Sequence, residues 1–242
     1  MQCLNYNSNF INSLPVYCQY GNILAMNAKI DIKLLNHIKT SELTTSMLLG
    51  LLCNYKDPRK KIHSLVKSGL LQSIKQGVYV VSENLGLRPY SLEILANLIY
   101  GPSYISLESA LSYYGFIPER VSTTTSICIG RNKRFSTPVG EFEYCHLKDL
   151  IYSDGVQLRE VFKDSFCQFA SPEKAILDFI YIRETGDEFK DSKGYFNYII
   201  ESYRLDINAL KKETSVKKLK VLTQHYSSEH VSWFTCELIK NT

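Results

Sequence analysis

An Asp-Pro pair at 57–58 and glycines at 69 and 77 punctuate one basic stretch of this chain, and together they leave it few local structures. Asp57 offers an N-cap carboxylate, and Pro58 falls at the first helical position, where its missing N–H costs nothing. Gly69 supplies the left-handed residue that closes a helix. At 100° per residue, Pro58, Ile62, Leu65 and Val66 share one face. Lys60, Ser64 and Lys67 share the opposite face, with Arg59, Lys61 and His63 on its flanks. The LLQSIKQGVYVVSE that follows predicts two strands, 71–75 and 78–82, turning at Gln76-Gly77. Its alternation is imperfect, but Val78 to Val81 strongly favour a strand.

Two further helices precede this unit. Ile30, Leu34, Leu35 and Ile38 have helical spacing over 29–39, and a second helix starting near Ser41 or Thr44 carries Leu43, Met47, Leu48, Leu51 and Leu52. Three helices and a hairpin over 29–84 form the winged helix-turn-helix plan. Such a third helix fits the DNA major groove, and the wing reaches neighbouring phosphates. The expected DNA contacts are Arg59, Lys60, Lys61, His63, Ser64 and Lys67 on the helix, with Lys75 and Gln76 at the wing tip. Charge supports this placement. The net charge is only +4, yet residues 29–81 hold nine basic and three acidic side chains, leaving −2 for everything else. One copy neutralising three to six phosphates grips weakly, so two copies on repeated half-sites are expected. Winged helices also mediate protein contacts, so the plan alone does not decide the partner.

Other classes are excluded by composition. With 45% hydrophobic and 21% charged residues, the 242-residue chain is expected to be globular rather than disordered. The apolar run at 47–53 is far short of the roughly 20 residues of a membrane span. No Lys or Arg precedes Lys29 and no sustained apolar stretch occurs there, so no secretory signal and a cytoplasmic location are expected. Seven cysteines are scattered without any CxxC, which suggests thiols rather than a disulfide framework. Cys145 and His146 are adjacent on an expected strand and would face opposite ways, so no metal site is assigned. There is no glycine-rich nucleotide loop and no nucleophile with an identifiable partner, so no cofactor and no catalytic residue are assigned.

The remainder, 89–242, reads as a larger mixed body after a linker at 85–88, while 1–28 is an Asn/Tyr-rich extension. Helices are expected over 91–100 and over 107–114, the latter capped by Ser106 and closed by Gly115. The period then changes. Residues 121–130 read as a strand with 142–147 as its antiparallel partner across an irregular basic connection, and 157–162 and 166–169 add two more strands. Ser171-Pro172 opens a helix to about Arg183, and helices are expected over 190–203, 206–214, 216–226 and 229–239. The fold class is therefore α+β, with a small, mostly antiparallel sheet.

Several residues here imitate chemistry. Glu173 and Lys174 lie in a helix's first turn, where a carboxylate favours the dipole. Glu141 and Glu143 share a strand face and, with Asp149 or Asp154, could bind a metal ion, although no histidine is tied to them. Arg131, Lys133 and Arg134 form a basic loop able to meet nucleic acid or an acidic partner. Lys211, Lys212, Lys217, Lys218 and Lys220 form a second cluster beside Val216, Leu219 and Leu222, the pattern of an amphipathic helix face.

The segment SLVKSGLLQSIKQGVYVVSE resembles the winged helix of AbiEi-family proteins, the antitoxin components of bacterial type IV toxin–antitoxin and abortive-infection (phage defence) systems. YISLESALSYYGFIPE, TTTSICIG and ASPEKAILDFIYIR are similar to that family's C-terminal domain, in the same order, so the resemblance covers roughly 29–183. It implies a two-domain transcriptional regulator. The winged helix would bind inverted repeats upstream of its own operon, as a dimer or cooperative pair. The C-terminal domain would oppose a nucleotidyltransferase-like toxin, without requiring a stable complex. The extension and the unusually apolar SELTTSMLLGLL depart from the family's pattern. Two alternatives stay open: a protein-interaction module that neutralises a toxin by direct binding, and a nucleic-acid-processing enzyme using acids such as Glu141 and Glu143.

Overall fold

The computed structural model describes residues 40–82, 87–183 and 189–241. The extension and the first expected helix, 29–39, lie outside them.

The first unit follows from its punctuation. Strand β1 (Glu42–Thr44) leads into helix α1 (Thr45–Leu51), where Thr44 rather than Ser41 is the N-cap and accepts from Met47 N. Helix α2 (Pro58–Lys67) starts as expected, with Asp57 Oδ1 accepting from Lys60 N at 3.1 Å. Strands β2 (Leu71–Lys75) and β3 (Val78–Val81) form the hairpin, and β1 adds to β3, giving an antiparallel sheet in the order β1-β3-β2. Gly77 takes φ +88 in the turn, and its carbonyl accepts from Thr45 N at 2.9 Å.

The hairpin's imperfect alternation has a structural reason. Leu71 and Val81 join Leu43, Leu48, Leu52, Ile62 and Leu65 in a small core, whereas Ile74, Val78 and Val80 join the large core of the body. Strand β3 is therefore covered on both sides, and a strand buried on both faces shows a continuous apolar run.

In the body, α3 (Leu92–Ile99), β4 (Ser103–Ile105), α4 (Leu107–Tyr113), β5 (Thr123–Cys128), β6 (Lys133–Thr137), β7 (Gly140–His146), α5 (Asp149–Tyr152), β8 (Val156–Phe162) and β9 (Ser165–Ala170) come first. Then follow α6 (Pro172–Ile182), α7 (Ser192–Ser202), α8 (Ile207–Glu213), α9 (Val216–Thr223) and α10 (Glu229–Lys240). Eleven of these elements fall where the sequence placed helices or strands; β4, β6 and α5 are the others. The strands form one mixed sheet in the order β6-β7-β5-β4-β9-β8.

Two expectations are corrected here. The basic connection after β5 is itself strand β6, which turns back to pair antiparallel with β7; that hairpin makes β7 run parallel, not antiparallel, to β5. The six-stranded sheet is consequently mixed, with three antiparallel and two parallel pairings. Ser106 sits at the N-cap of α4, but its hydroxyl donates to Asp178 Oδ2 at 2.8 Å and makes no cap bond. Thr125 Oγ1 takes over that role by accepting from Ser109 N at 2.9 Å.

Helix α6 is central to the body. Ala175, Ile176, Leu177, Phe179 and Ile180 are all essentially inaccessible, and so are Lys174 and Asp178. A helix apolar on all sides belongs inside a core; its two charges survive there because they meet. Lys174 Nζ lies 3.2 Å from Asp178 Oδ1 and donates to Ile151 O at 2.7 Å. Tyr104 and Ser106 donate to Asp178 Oδ2, and Tyr226 donates to Oδ1 at 2.6 Å. Burial, then the neighbouring Asp178 charge, pushes both phenols well above the ordinary tyrosine range, so they stay donors.

Candidate nucleic-acid interface

Helix α2 divides its residues as its spacing predicts. Ile62 and Leu65 are buried in the small core, with Pro58 and Val66 half-buried at its edge. Arg59, Lys60, His63, Ser64 and Lys67 are exposed together on the outer side. Lys60 Nζ lies 3.6 Å from Asp57 and Lys61 carries its ammonium 5.4 Å from the Tyr55 ring centre, the latter holding that side chain against the helix flank. The Lys60–Asp57 contact is at the surface, where an ion pair is worth little and leaves the cation available. Arg59 and Lys67 make no ion pair among the described residues. Six of the eight expected contacts thus share one exposed helix and its flank.

The wing tip differs. Gln76 is exposed at the turn, but Lys75 is turned into the body: its Nζ donates to Ile99 O at 2.7 Å and lies 4.3 Å from the centre of the Phe135 ring. Lys75 is thus engaged by the body at the wing tip, while Gln76 is exposed. Because Ile74, Val78 and Val80 belong to the large core, the hairpin docks on the body and carries Lys75 with it. Partial burial, then the nearby Lys133 charge, lowers the Lys75 pKa.

Docking brings a second group of cations to the hairpin. Lys133 lies 4.9 Å from the centre of the Tyr100 ring, and Tyr100 in turn stands 6.1 Å from Phe135 under Lys75. Arg131, whose backbone N–H donates to Tyr100 Oη, is exposed beside them. Among the described residues Arg131 and Lys133 have no carboxylate partner. Arg134 does, Glu141 at 3.3 Å. Glu143 meets Arg183, which also grips Glu108 in a two-pronged pair at 2.8 and 3.2 Å. Glu141 and Glu143 are thus each paired with an arginine, and no group of three or more metal-ligating side chains exists among the described residues. Cys145 is buried and His146 exposed, on opposite faces of β7.

Sequence reasoning missed the joint that fixes the helix relative to the body. Arg88, read as linker, donates to both Glu42 oxygens at 3.0 and 2.6 Å and to Thr40 Oγ1 at 2.9 Å. Glu42, fully buried on β1, also accepts from Ser91 N, and Ser41 Oγ donates to Arg88 O. Forty-six residues separate Glu42 from Arg88 in sequence, and no local pattern connects them.

Burial acts to raise the Glu42 pKa, but the Arg88, Thr40 and Ser91 donors outweigh it and leave the carboxyl below its usual value of 4.5. A depressed carboxylate contributes stability above its unfolded pKa and loses it as pH falls through the folded one. Acid titration is therefore expected to loosen this joint only below pH 4.5. Amide hydrogen exchange at Ser91 followed from pH 6 downward would show it; protection already lost well above that value would contradict the assignment. Among the described residues no helix is long and apolar enough to cross a membrane. Compared with protein-family models and with curated proteins, the chain matches none.

Proposed function

We propose that the chain is a DNA-binding transcriptional regulator whose N-terminal unit works as a winged helix-turn-helix, with α2 in the major groove. The observation that carries this reading is the exposed cationic side of α2: Arg59, Lys60, Ser64 and Lys67 stand on an outer face held rigidly by Ile62 and Leu65 beneath. Arg and Lys donors on such a helix reach base edges and phosphates. Arg131 and Lys133, beside the docked hairpin, supply further phosphate contacts where Lys75 is engaged by the body. Gln76 remains available at the turn.

The resemblance of 29–183 to AbiEi-family antitoxins supports a finer reading. In it, the protein represses its own operon at inverted repeats, and its body opposes a nucleotidyltransferase-like toxin without a stable complex. The assigned role is non-enzymatic, uses no cofactor and is cytoplasmic. Direct neutralisation of a toxin by binding is the second reading, favoured by the exposed Leu158 and Phe166 on the β8-β9 hairpin.

A gel-shift titration against the DNA upstream of the reading frame, at two salt concentrations, tests the proposal. Arg59→Ala/Lys60→Ala/Lys67→Ala is expected to weaken binding and to reduce the log–log salt slope by roughly 2 to 3, about 0.9 per lost phosphate contact. An unchanged slope in the triple variant removes α2 from the interface. A stable toxin complex with no DNA retardation by the wild-type chain would shift the assignment to the second reading.

A further inference from the structure

The start of β8 and the helix α9 border an open cleft of about 500 Å³ on the side of the body formed by its C-terminal helices. Its walls are Val156, Val221 and Leu222, and Val221 is 51% exposed although it belongs to an apolar lining. Its floor is close-packed. Gly155 lies directly on the Lys174 stem, where an added Cβ would come within 3.0 Å of Lys174 Cβ and 3.2 Å of Leu222 Cδ1. Lys174 is itself locked by Asp178 and Ile151 O, so the cavity cannot close by collapse of its floor.

The mouth carries Lys217 and Lys218, both exposed and without an ion pair among the described residues. Of the nearby acids, one is paired with a histidine and the other is held through one oxygen, its second oxygen having no partner among the described residues. Asp154, adjoining Gly155, meets His225 at 2.9 Å, and buried Glu173 accepts from Ser215 N at 2.8 Å. An apolar cleft of this size under two unneutralised ammonium groups selects its ligand on two counts. The cleft accepts a small apolar body, as binding cavities of roughly 300–1,000 Å³ do. The mouth favours a negative head group.

We propose that this cavity binds a small amphipathic organic anion, with its hydrocarbon part against Val156, Val221 and Leu222 and its carboxylate or phosphate between Lys217 and Lys218. The inference is independent of the DNA-binding reading. Calorimetric titration of the full chain with decanoate and with uncharged decanol tests it. One decanoate per chain is expected. Lys217→Ala/Lys218→Ala should weaken decanoate at least about tenfold while changing decanol less than about twofold, a difference of roughly 1.4 kcal/mol or more in head-group interaction. Val221→Trp, which fills the cleft from an exposed position, should abolish both. Decanoate affinity that survives in both variants overturns the site. So does binding only to phosphatidylglycerol vesicles, dependent on the lysines but indifferent to Val221→Trp, since that would identify a flat lipid contact in place of a pocketed ligand.

Discussion

Asp178→Ala should cost about 3–5 kcal/mol, because it strands the Lys174 ammonium inside the core without its counter-charge. A domain of this kind is stable by only about 5–15 kcal/mol, so the variant is expected at or near the edge of unfolding. The two charges differ in the partners each keeps when the other is removed. Without Asp178, Lys174 retains only Ile151 O and the Tyr226 hydroxyl, while the hydroxyls of Tyr104 and Ser106 lose their acceptor. Without Lys174, by contrast, Asp178 still accepts from three hydroxyls: Tyr104, Ser106 and Tyr226. Lys174→Met, which keeps most of the stem's volume over Gly155, also leaves a buried charge but one with three donors, and should therefore cost less than Asp178→Ala. Urea unfolding followed by circular dichroism separates the two. Equal destabilisation, or a milder loss for Asp178→Ala, would show that the pair does not hold the core in the way its contacts imply.

The second large effect concerns the joint between the two halves. Arg88→Ala leaves the Glu42 carboxylate buried with only Ser91 N and Thr40 Oγ1 as donors. It also removes the guanidinium from the Phe162 ring, 4.6 Å away. Breaking a buried pair from one side costs about 3–5 kcal/mol, and here the loss falls on the seam. The wild-type chain is expected to unfold in one transition, since Ile74, Val78 and Val80 belong to the body's core. In Arg88→Ala the small unit should melt first, giving two transitions by fluorescence and circular dichroism. A single unshifted transition would mean that the hairpin's apolar docking alone fixes the seam. Arg88→Lys is the informative companion. It keeps the charge but not the two-pronged geometry, and should recover only part of the loss.

These effects bear on DNA binding, because the orientation of α2 relative to Arg131 and Lys133 is set by the same seam. If both groups touch one duplex, Arg88→Ala should weaken operator binding even where α2 itself remains folded. A variant that binds as tightly as wild type would confine DNA contact to α2.

Most of the element order was legible in the sequence, for local reasons. Asp57-Pro58 and Ser171-Pro172 mark helix starts because capping and a fixed φ act within one turn. The exposed side of α2 was legible too, since helical spacing sorts residues without reference to the rest of the fold. What was lost depended on partners distant in sequence. β1 and β4 span three residues each, too few to show a period. β6 was read as a loop because its Lys-Arg-Phe-Ser-Thr sequence is mostly exposed and its pairing with β7 supplies what its composition does not. The Ser106 hydroxyl looked like a cap until Asp178, seventy-two residues away, claimed it.

By itself, then, the sequence determined where helices begin and end, which residues of α2 face outward, and that positive charge concentrates near the N-terminal unit. Those properties arise from backbone geometry and side-chain spacing over a few residues. Only the tertiary structure decided that the hairpin serves two cores at once, that Lys75 is held against the Phe135 ring while Arg131 and Lys133 stand beside it, and that Glu42 is neutralised by Arg88. Burial and ion pairing are set by atoms brought together from distant parts of the chain. A lysine at a turn reads the same in sequence whether water or an aromatic ring receives it.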